Sequence, residues 1–158
     1  MIKVSILSMM LFMKPKITNS PEETKKLAKE IASKLKGGET IGLIGELGAG
    51  KTVFVQGLAK GLGVKETVNS PTFVLMKVYK IRDSRFAIRD LVHIDCYRLS
   101  NSQELLNIGV QEYFGRKDAV VVIEWAEKVK DLLPKNSMMI EFKEGENENQ
   151  RIIEINRF

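Results

Sequence analysis

The chain has 158 residues, 44% of them hydrophobic, 28% charged and 7% aromatic, with a formal net charge of +5. That is enough for one domain with a proper core and too little for two comfortable ones. Lys and Glu are interleaved rather than gathered into a basic stripe, which argues against a dedicated nucleic-acid binder, and the lone Cys96 has no disulfide partner within the chain and suits a reducing, cytoplasmic setting.

Residues 1–13 form an apolar tract, from Val4 through Ile6, Leu7 and Leu11 to Met13. It is too short to span a bilayer and no small-residue cleavage site follows it, so no membrane association is expected. The folded pattern begins at about Lys14, which marks 1–13 as an N-terminal extension and Met13 as the expected start of the protein. A short strand at Ile17-Thr18 leads into a helix signal: Ser20 as N-cap, Pro21 at the first helical position and Glu23 completing a capping box. Leu27, Ala28, Ile31 and Leu35 give that helix one apolar stripe, and Gly37-Gly38 ends it.

Thr40–Ile44 is a short apolar run of the kind buried on both faces of a parallel sheet. It runs into Gly45-Glu46-Leu47-Gly48-Ala49-Gly50-Lys51-Thr52, which matches G-x-x-x-x-G-K-[ST]. Phe54, Val55, Leu58, Ala59 and Leu62 then recur at helical spacing up to Gly63. Strand, glycine-rich loop and helix in that order form a phosphate-binding loop. Its glycines let backbone N–H groups wrap a polyphosphate, the helix N-terminus adds partial positive charge, Lys51 reaches the β- and γ-phosphates, and Thr52 offers its hydroxyl to Mg²⁺. This motif predicts a nucleoside triphosphate as ligand.

Val68–Phe73 reads as a polar turn around Pro71 that feeds a strand over Val74–Tyr79, with a charged hairpin tip at Arg82–Arg85. The next strand, Leu91–Tyr97, places His93, Asp95 and Tyr97 on one face. Ser102 is expected to cap a short helix that stops at Gly109, and a second short helix covers Val110–Phe114. Ala119–Trp125 is the most emphatic strand; a helix through Lys128, Val129, Leu132 and Leu133 follows and closes at Pro134. Strands at Met138–Phe142 and Arg151–Ile155 complete the chain, joined by the polar 144–149 turn.

A phosphate loop needs a carboxylate on its metal side, supplied at the end of a neighbouring buried strand. Glu124 follows five apolar residues, so a parallel strand would deliver it to the carboxyl edge of the sheet, where open α/β sheets bind ligands. Asp95 lies inside its strand pattern, and a buried carboxylate there needs a partner; Mg²⁺ or a water bound to it would serve. His93 is read as a packed residue with one hydrogen bond rather than as a base. Arg98 has two open readings, a phosphate or partner contact and a plain salt bridge, and Trp125 is read as packing beside the site or as facing a partner.

The combination of residues 45–52, Ser70-Pro71-Thr72-Phe73, His93-Ile94-Asp95-Cys96-Tyr97-Arg98-Leu99 and Ile123-Glu124-Trp125 resembles the bacterial TsaE (YjeE) family of small ATPases, over about Lys16 to Phe142. The resemblance implies an α/β fold: a single P-loop NTPase-like domain over 14–158 with a mixed, mostly parallel sheet, antiparallel edge strands and flanking helices. It implies ATP and Mg²⁺ as cofactors, slow ATP hydrolysis, and a role in forming threonylcarbamoyladenosine (t6A) at position 37 of tRNAs that read ANN codons. The partners implied are TsaB-like and TsaD-like proteins, with tRNA touched only indirectly. Carried over by motif, residues Gly45 to Thr52 and Val53 hold the nucleotide, with Lys51 on the phosphates. Thr52 and Glu124 hold Mg²⁺, Asp95 assists the metal or hydrolysis, and Thr72 in a nucleotide-sensing turn faces the γ-phosphate. Thr24 and Glu127 are placed near the base and ribose. The apolar extension and the length of the charged Arg82–Arg89 stretch depart from the family pattern.

Two other readings compete. A small-molecule kinase would use the same loop, but such kinases carry an arginine-rich lid, and Gly115-Arg116-Lys117 is the one short loop candidate here. An RNA-binding module would need an aromatic–basic motif that the sequence lacks.

Overall fold

The computed structural model describes residues 14–83 and 85–157; the apolar extension and the expected start at Met13 lie outside them. Seven strands form one sheet: β1 (Lys16–Thr18), β2 (Thr40–Ile44), β3 (Met76–Lys80), β4 (Asp90–Asp95), β5 (Ala119–Glu124), β6 (Met138–Glu144) and β7 (Arg151–Arg157). Their spatial order is β1-β7-β6-β2-β5-β4-β3. The centre, β6-β2-β5-β4, is parallel. The margins are antiparallel, with β3 against β4 on one side and β7 against both β6 and β1 on the other. This is the expected α/β class with a parallel centre and antiparallel edges.

Among the described residues three helices flank it: α1 (Pro21–Ala32), α2 (Lys51–Gly61) and the short α3 (Ser102–Asn107), with 3₁₀ segments at Val110–Glu112 and Ala126–Leu132. The α1 start is built as its sequence predicts. Ser20 Oγ accepts from Glu23 N at 3.2 Å, and the Glu23 carboxylate accepts from Asn19 N at 2.7 Å. Ala28 and Ile31 on α1, with Phe54, Val55 and Leu58 on α2, bury one face of the sheet against Ile41, Leu43, Val120 and Val122. α1 and α2 approach closely because Gly57 and Gly61 lack side chains: a Cβ on Gly57 would lie 2.6 Å from Lys25 Cα, and one on Gly61 would lie 2.7 Å from Ala32 Cβ. α3 and the 3₁₀ segments cover the other face, over Val92, Ile94, Val121 and Ile123. Cys96 is buried there, and desolvation pushes its thiol up to about 12, so it is an unreactive filler.

Alternation along the strands fixes which side chains meet α2. Leu91 and Val120 pack on the α1–α2 side while Val92 and Val121 pack on the opposite side, so His93, Asp95, Val122 and Glu124 share the α2 side.

Several boundaries differ from the sequence expectation. β4 ends at Asp95 rather than running to Tyr97, because the Asp95 carboxylate accepts the Tyr97 N–H at 2.9 Å and turns the chain. Asp95 therefore ends its strand, level with Glu124, and is not inside it. β3 begins at Met76, since Leu75 takes a left-handed conformation (φ 62°) that breaks the extended run from Val74. β5 stops at Glu124, because Trp125 is also left-handed (φ 58°). The helix expected beyond it is a 3₁₀ segment interrupted at Val129, as is the short one over Val110–Glu112. Asn101, not Ser102, caps α3, its side chain accepting from Glu104 N at 3.3 Å.

Candidate functional site

The site lies at the carboxyl edge of the parallel strands, where β2, β4 and β5 end together. The pairing register puts Leu43 beside Glu124 and Glu124 beside Asp95, so both acids stand on one rung next to the loop that leaves β2. That loop, residues 45–50, carries Gly48 at φ 78° and Gly50 at φ 100°, values that L side chains rarely adopt, and a Cβ at either would meet open space. Gly50 is the N-cap of α2 and makes no side-chain cap hydrogen bond, so the helix presents its first amides without a protein oxygen from the cap. A cleft of about 320 Å³ is lined by residues from Leu47 to Val53, by Ser70 and Thr72, and by Asp95, Tyr97, Glu124 and Trp125.

Lys51 opens α2 and is buried. Its Nζ donates to the carbonyls of Gly45 and, at 2.8 Å, Glu46, and sits 4.1 Å from the centre of the Trp125 ring. The left-handed turn at Trp125 places the indole directly after Glu124, and the ring packs beside the site, under the ammonium. Desolvation holds the Lys51 ammonium below its ordinary pKa, partly offset by the carboxylates of Glu124, Glu127, Asp95 and Glu46.

One residue on, Thr52 Oγ1 is 3.0 Å from both Glu124 oxygens. Glu124 Oε1 also accepts from His93 Nε2 at 2.7 Å. His93 is fully buried, so its single hydrogen bond orients the very carboxylate at issue. His93→Ala is expected to destabilise the fold by roughly 2–4 kcal/mol, through a cavity and a carboxylate stripped of a buried donor; denaturant unfolding measures it.

Asp95 is held from the other side. Its Oδ2 accepts from the hydroxyls of Ser70 and, at 2.8 Å, Thr72, which are themselves 2.8 Å apart. The 70–74 turn thus rests on Asp95 while Phe73 (85% exposed) and Val74 project into solvent. The Arg98 guanidinium lies 4.3 Å over the Phe73 ring. It makes no salt bridge among the described residues, so the plain ion-pair reading does not hold.

The two residues placed near the base and ribose fall on different sides of the loop. Thr24, buried and bonded to Thr18 Oγ1 at 2.8 Å, lines a small cavity of about 130 Å³ with Gly48, Gly50 and Val53. Glu127 lines a separate cavity with Gly45, Glu46 and Ala49, and its Oε2 is buried without a hydrogen-bond partner.

The donors fit a magnesium–triphosphate. A threonine hydroxyl and one or two carboxylates are hard oxygen donors, and Mg²⁺ habitually completes its octahedron with water and phosphate oxygens rather than with a protein-only cage. Among the described residues no three acidic, His or Cys side chains converge as such a cage. Arg116, from the one lid candidate, is engaged with Asp90 and Asp118 and is not free to close on phosphates. The sequence had no signal for Arg151, which reaches the loop from β7. No helix among the described residues is long and apolar enough to cross a membrane.

Residues 18–153 match the family model described as "Threonylcarbamoyl adenosine biosynthesis protein TsaE". The tRNA threonylcarbamoyladenosine biosynthesis protein TsaE of Bacillus subtilis is 38% identical over 135 residues, covering 85% of this chain and 80% of that protein. The protein of the same name from Aquifex aeolicus is 42% identical over 123 residues, covering 77% and 83%. The crystal structure of Bacillus subtilis YdiB superposes with a TM-score of 0.71 at 33% identity, covering 90% of this chain and 84% of that one. With a family match across nearly the whole described chain, and relatives close to 40% identical, this chain belongs to the TsaE family of tRNA threonylcarbamoyladenosine biosynthesis proteins.

Proposed function

We propose that the protein binds ATP with Mg²⁺ at the 45–52 loop, hydrolyses it slowly, and uses it to dock onto and release TsaB-like and TsaD-like proteins during t6A formation at position 37 of ANN-reading tRNAs in the cytoplasm. The observation that carries this is the set formed where three strands end: a buried Lys51 on loop carbonyls, an α2 N-terminus without a side-chain cap, and Thr52 against Glu124.

In this reading the amides of the loop and of the first turn of α2 bind the phosphates, and Lys51 leaves its loop carbonyls for the β- and γ-oxygens. Thr52 and Glu124 hold the metal, with Asp95 beside it. When bound, Mg²⁺ supplies charge neutralisation across the phosphates. His93 orients Glu124 from behind. Ser70 and Thr72, bonded to Asp95, put the 70–74 turn where a change at the acids reaches Phe73, Val74 and Arg98. Contact with tRNA runs through the partners. The kinase reading is disfavoured by the engaged Arg116.

Among the described residues no arginine lines the cleft to serve as an arginine finger, a device that contributes about 10³–10⁵ in rate. Alone, the protein is therefore expected to turn over ATP far below the median enzyme rate of about 10 s⁻¹, in a steady-state phosphate-release assay. Mixing it with TsaB and TsaD of the same host, with and without Mg-ATP, tests the whole proposal. Nucleotide-dependent co-elution supports it; a fast isolated ATPase, or phosphorylation of a small molecule without the partners, overturns it.

A further inference from the structure

Arg151 is the first residue of β7. β7 runs antiparallel to β6, which is parallel to β2, so the start of β7 lies at the same edge as the loop leaving β2. There its guanidinium spans four backbone carbonyls. Nε donates to Ala49 O and Nη2 to Gly48 O, each at 3.1 Å, while Nη1 donates to Glu148 O at 2.6 Å and Gln150 O at 2.8 Å. One planar group therefore ties the crest of the glycine loop to the 145–150 turn, which lies far downstream in the chain.

We propose that Arg151 is the positioning residue of the phosphate loop, a brace that aims its amides. In a planar trans peptide, the carbonyl of one residue and the N–H of the next point opposite ways. Holding Gly48 C=O thus directs the Ala49 N–H, which closes on Glu46 O at 3.0 Å and sets the turn. Holding Ala49 C=O likewise directs the Gly50 N–H away from Arg151. Gly48 and Gly50 give the loop its shape but also its freedom, since neither has a side chain to restrict it. The stiffness has to come from outside the loop, and a forked, planar donor supplies it in a way that an ammonium cannot.

The significance for affinity rests on the ATP reading; the bracing itself does not. ¹⁵N relaxation on the whole, nucleotide-free protein is expected to give Gly48, Ala49 and Gly50 order parameters near the rigid value of about 0.85. Both Arg151→Ala and Arg151→Lys are expected to drop them below about 0.6. The rest of the amide spectrum serves as the folding control. Titration with Mg-ATP and with inorganic triphosphate is expected to show affinity about 10–100-fold weaker in both variants, the usual loss when a supporting residue behind a binding layer is removed. Unchanged loop order in Arg151→Ala overturns the brace whatever the affinities do. Restoration of loop order and affinity by Arg151→Lys also overturns it, since charge alone would then suffice. If the wild-type protein binds neither ATP nor triphosphate while its loop still loosens in the variants, the brace stands and the ATP reading falls.

Discussion

Lys51→Ala is expected to abolish tight ATP binding, weakening Mg-ATP by at least about 10² in Kd, because hydrogen bonds from a charged donor contribute about 1.5–3 kcal/mol each and Lys51 can place two on the phosphates. Calorimetric titration measures it directly. The buried position makes the effect specific. The ammonium is desolvated and held by two loop carbonyls and the Trp125 ring, which fixes a cation at the head of the loop. Burial lowers its pKa, while Glu124, Glu127, Asp95 and Glu46 work to keep it protonated. A variant that keeps wild-type affinity would exclude the loop as the phosphate site.

Glu124→Ala is expected to separate binding from turnover. The loop amides and Lys51 are untouched, so Mg-ATP binding should remain measurable, whereas single-turnover hydrolysis should fall to background. Among the described residues Glu124 is the carboxylate in contact with the Thr52 hydroxyl, and it is oriented by His93. Equal turnover in the variant would remove Glu124 from its assigned role. Glu124→Gln adds a useful second arm, since it keeps the shape and one acceptor oxygen while replacing the other oxygen by an NH₂ donor and removing the negative charge.

The parts of the fold that were legible in the sequence are those written in local signals. The Ser20–Pro21–Glu23 start of α1, the β2–loop–α2 unit and the apolar run of β5 each rest on neighbours within a few residues, and the structure keeps them. The misplaced strand ends share a different cause. Alternation continues through Cys96 and Tyr97, but one carboxylate-to-amide bond from Asp95 turns the chain first. Nothing in Leu75 or Trp125 as residue types announces a left-handed backbone, because tertiary contacts impose it. Asn101 and Ser102 are both good caps, and only the geometry decides between them.

The same distinction divides the site. Gly48, Gly50, Lys51 and Thr52 announce themselves by spacing, and Glu124 by ending an apolar strand. That His93 bonds to Glu124 depends on two strands meeting in register, and that Arg151 bonds to Ala49 depends on a strand far down the chain. An arginine opening a strand near the sheet margin reads as a solvated charge until the topology brings the loop to it.

The common rung of Asp95 and Glu124 has a mechanical consequence. Neighbouring strands sit about 4.8 Å apart and cannot be drawn apart without breaking ladder hydrogen bonds, and here every residue of both strands is buried. The two acids therefore behave as a fixed anvil. The 70–74 turn is built the other way, seated on Asp95 by two hydroxyls and ending at a left-handed Leu75. A hydroxyl can exchange one oxygen for another at little cost, whereas a strand cannot shift its register by a fraction of a residue. Between the strand ends and the 70–74 turn, the turn is the more compliant, and it carries the solvent-facing ring of Phe73.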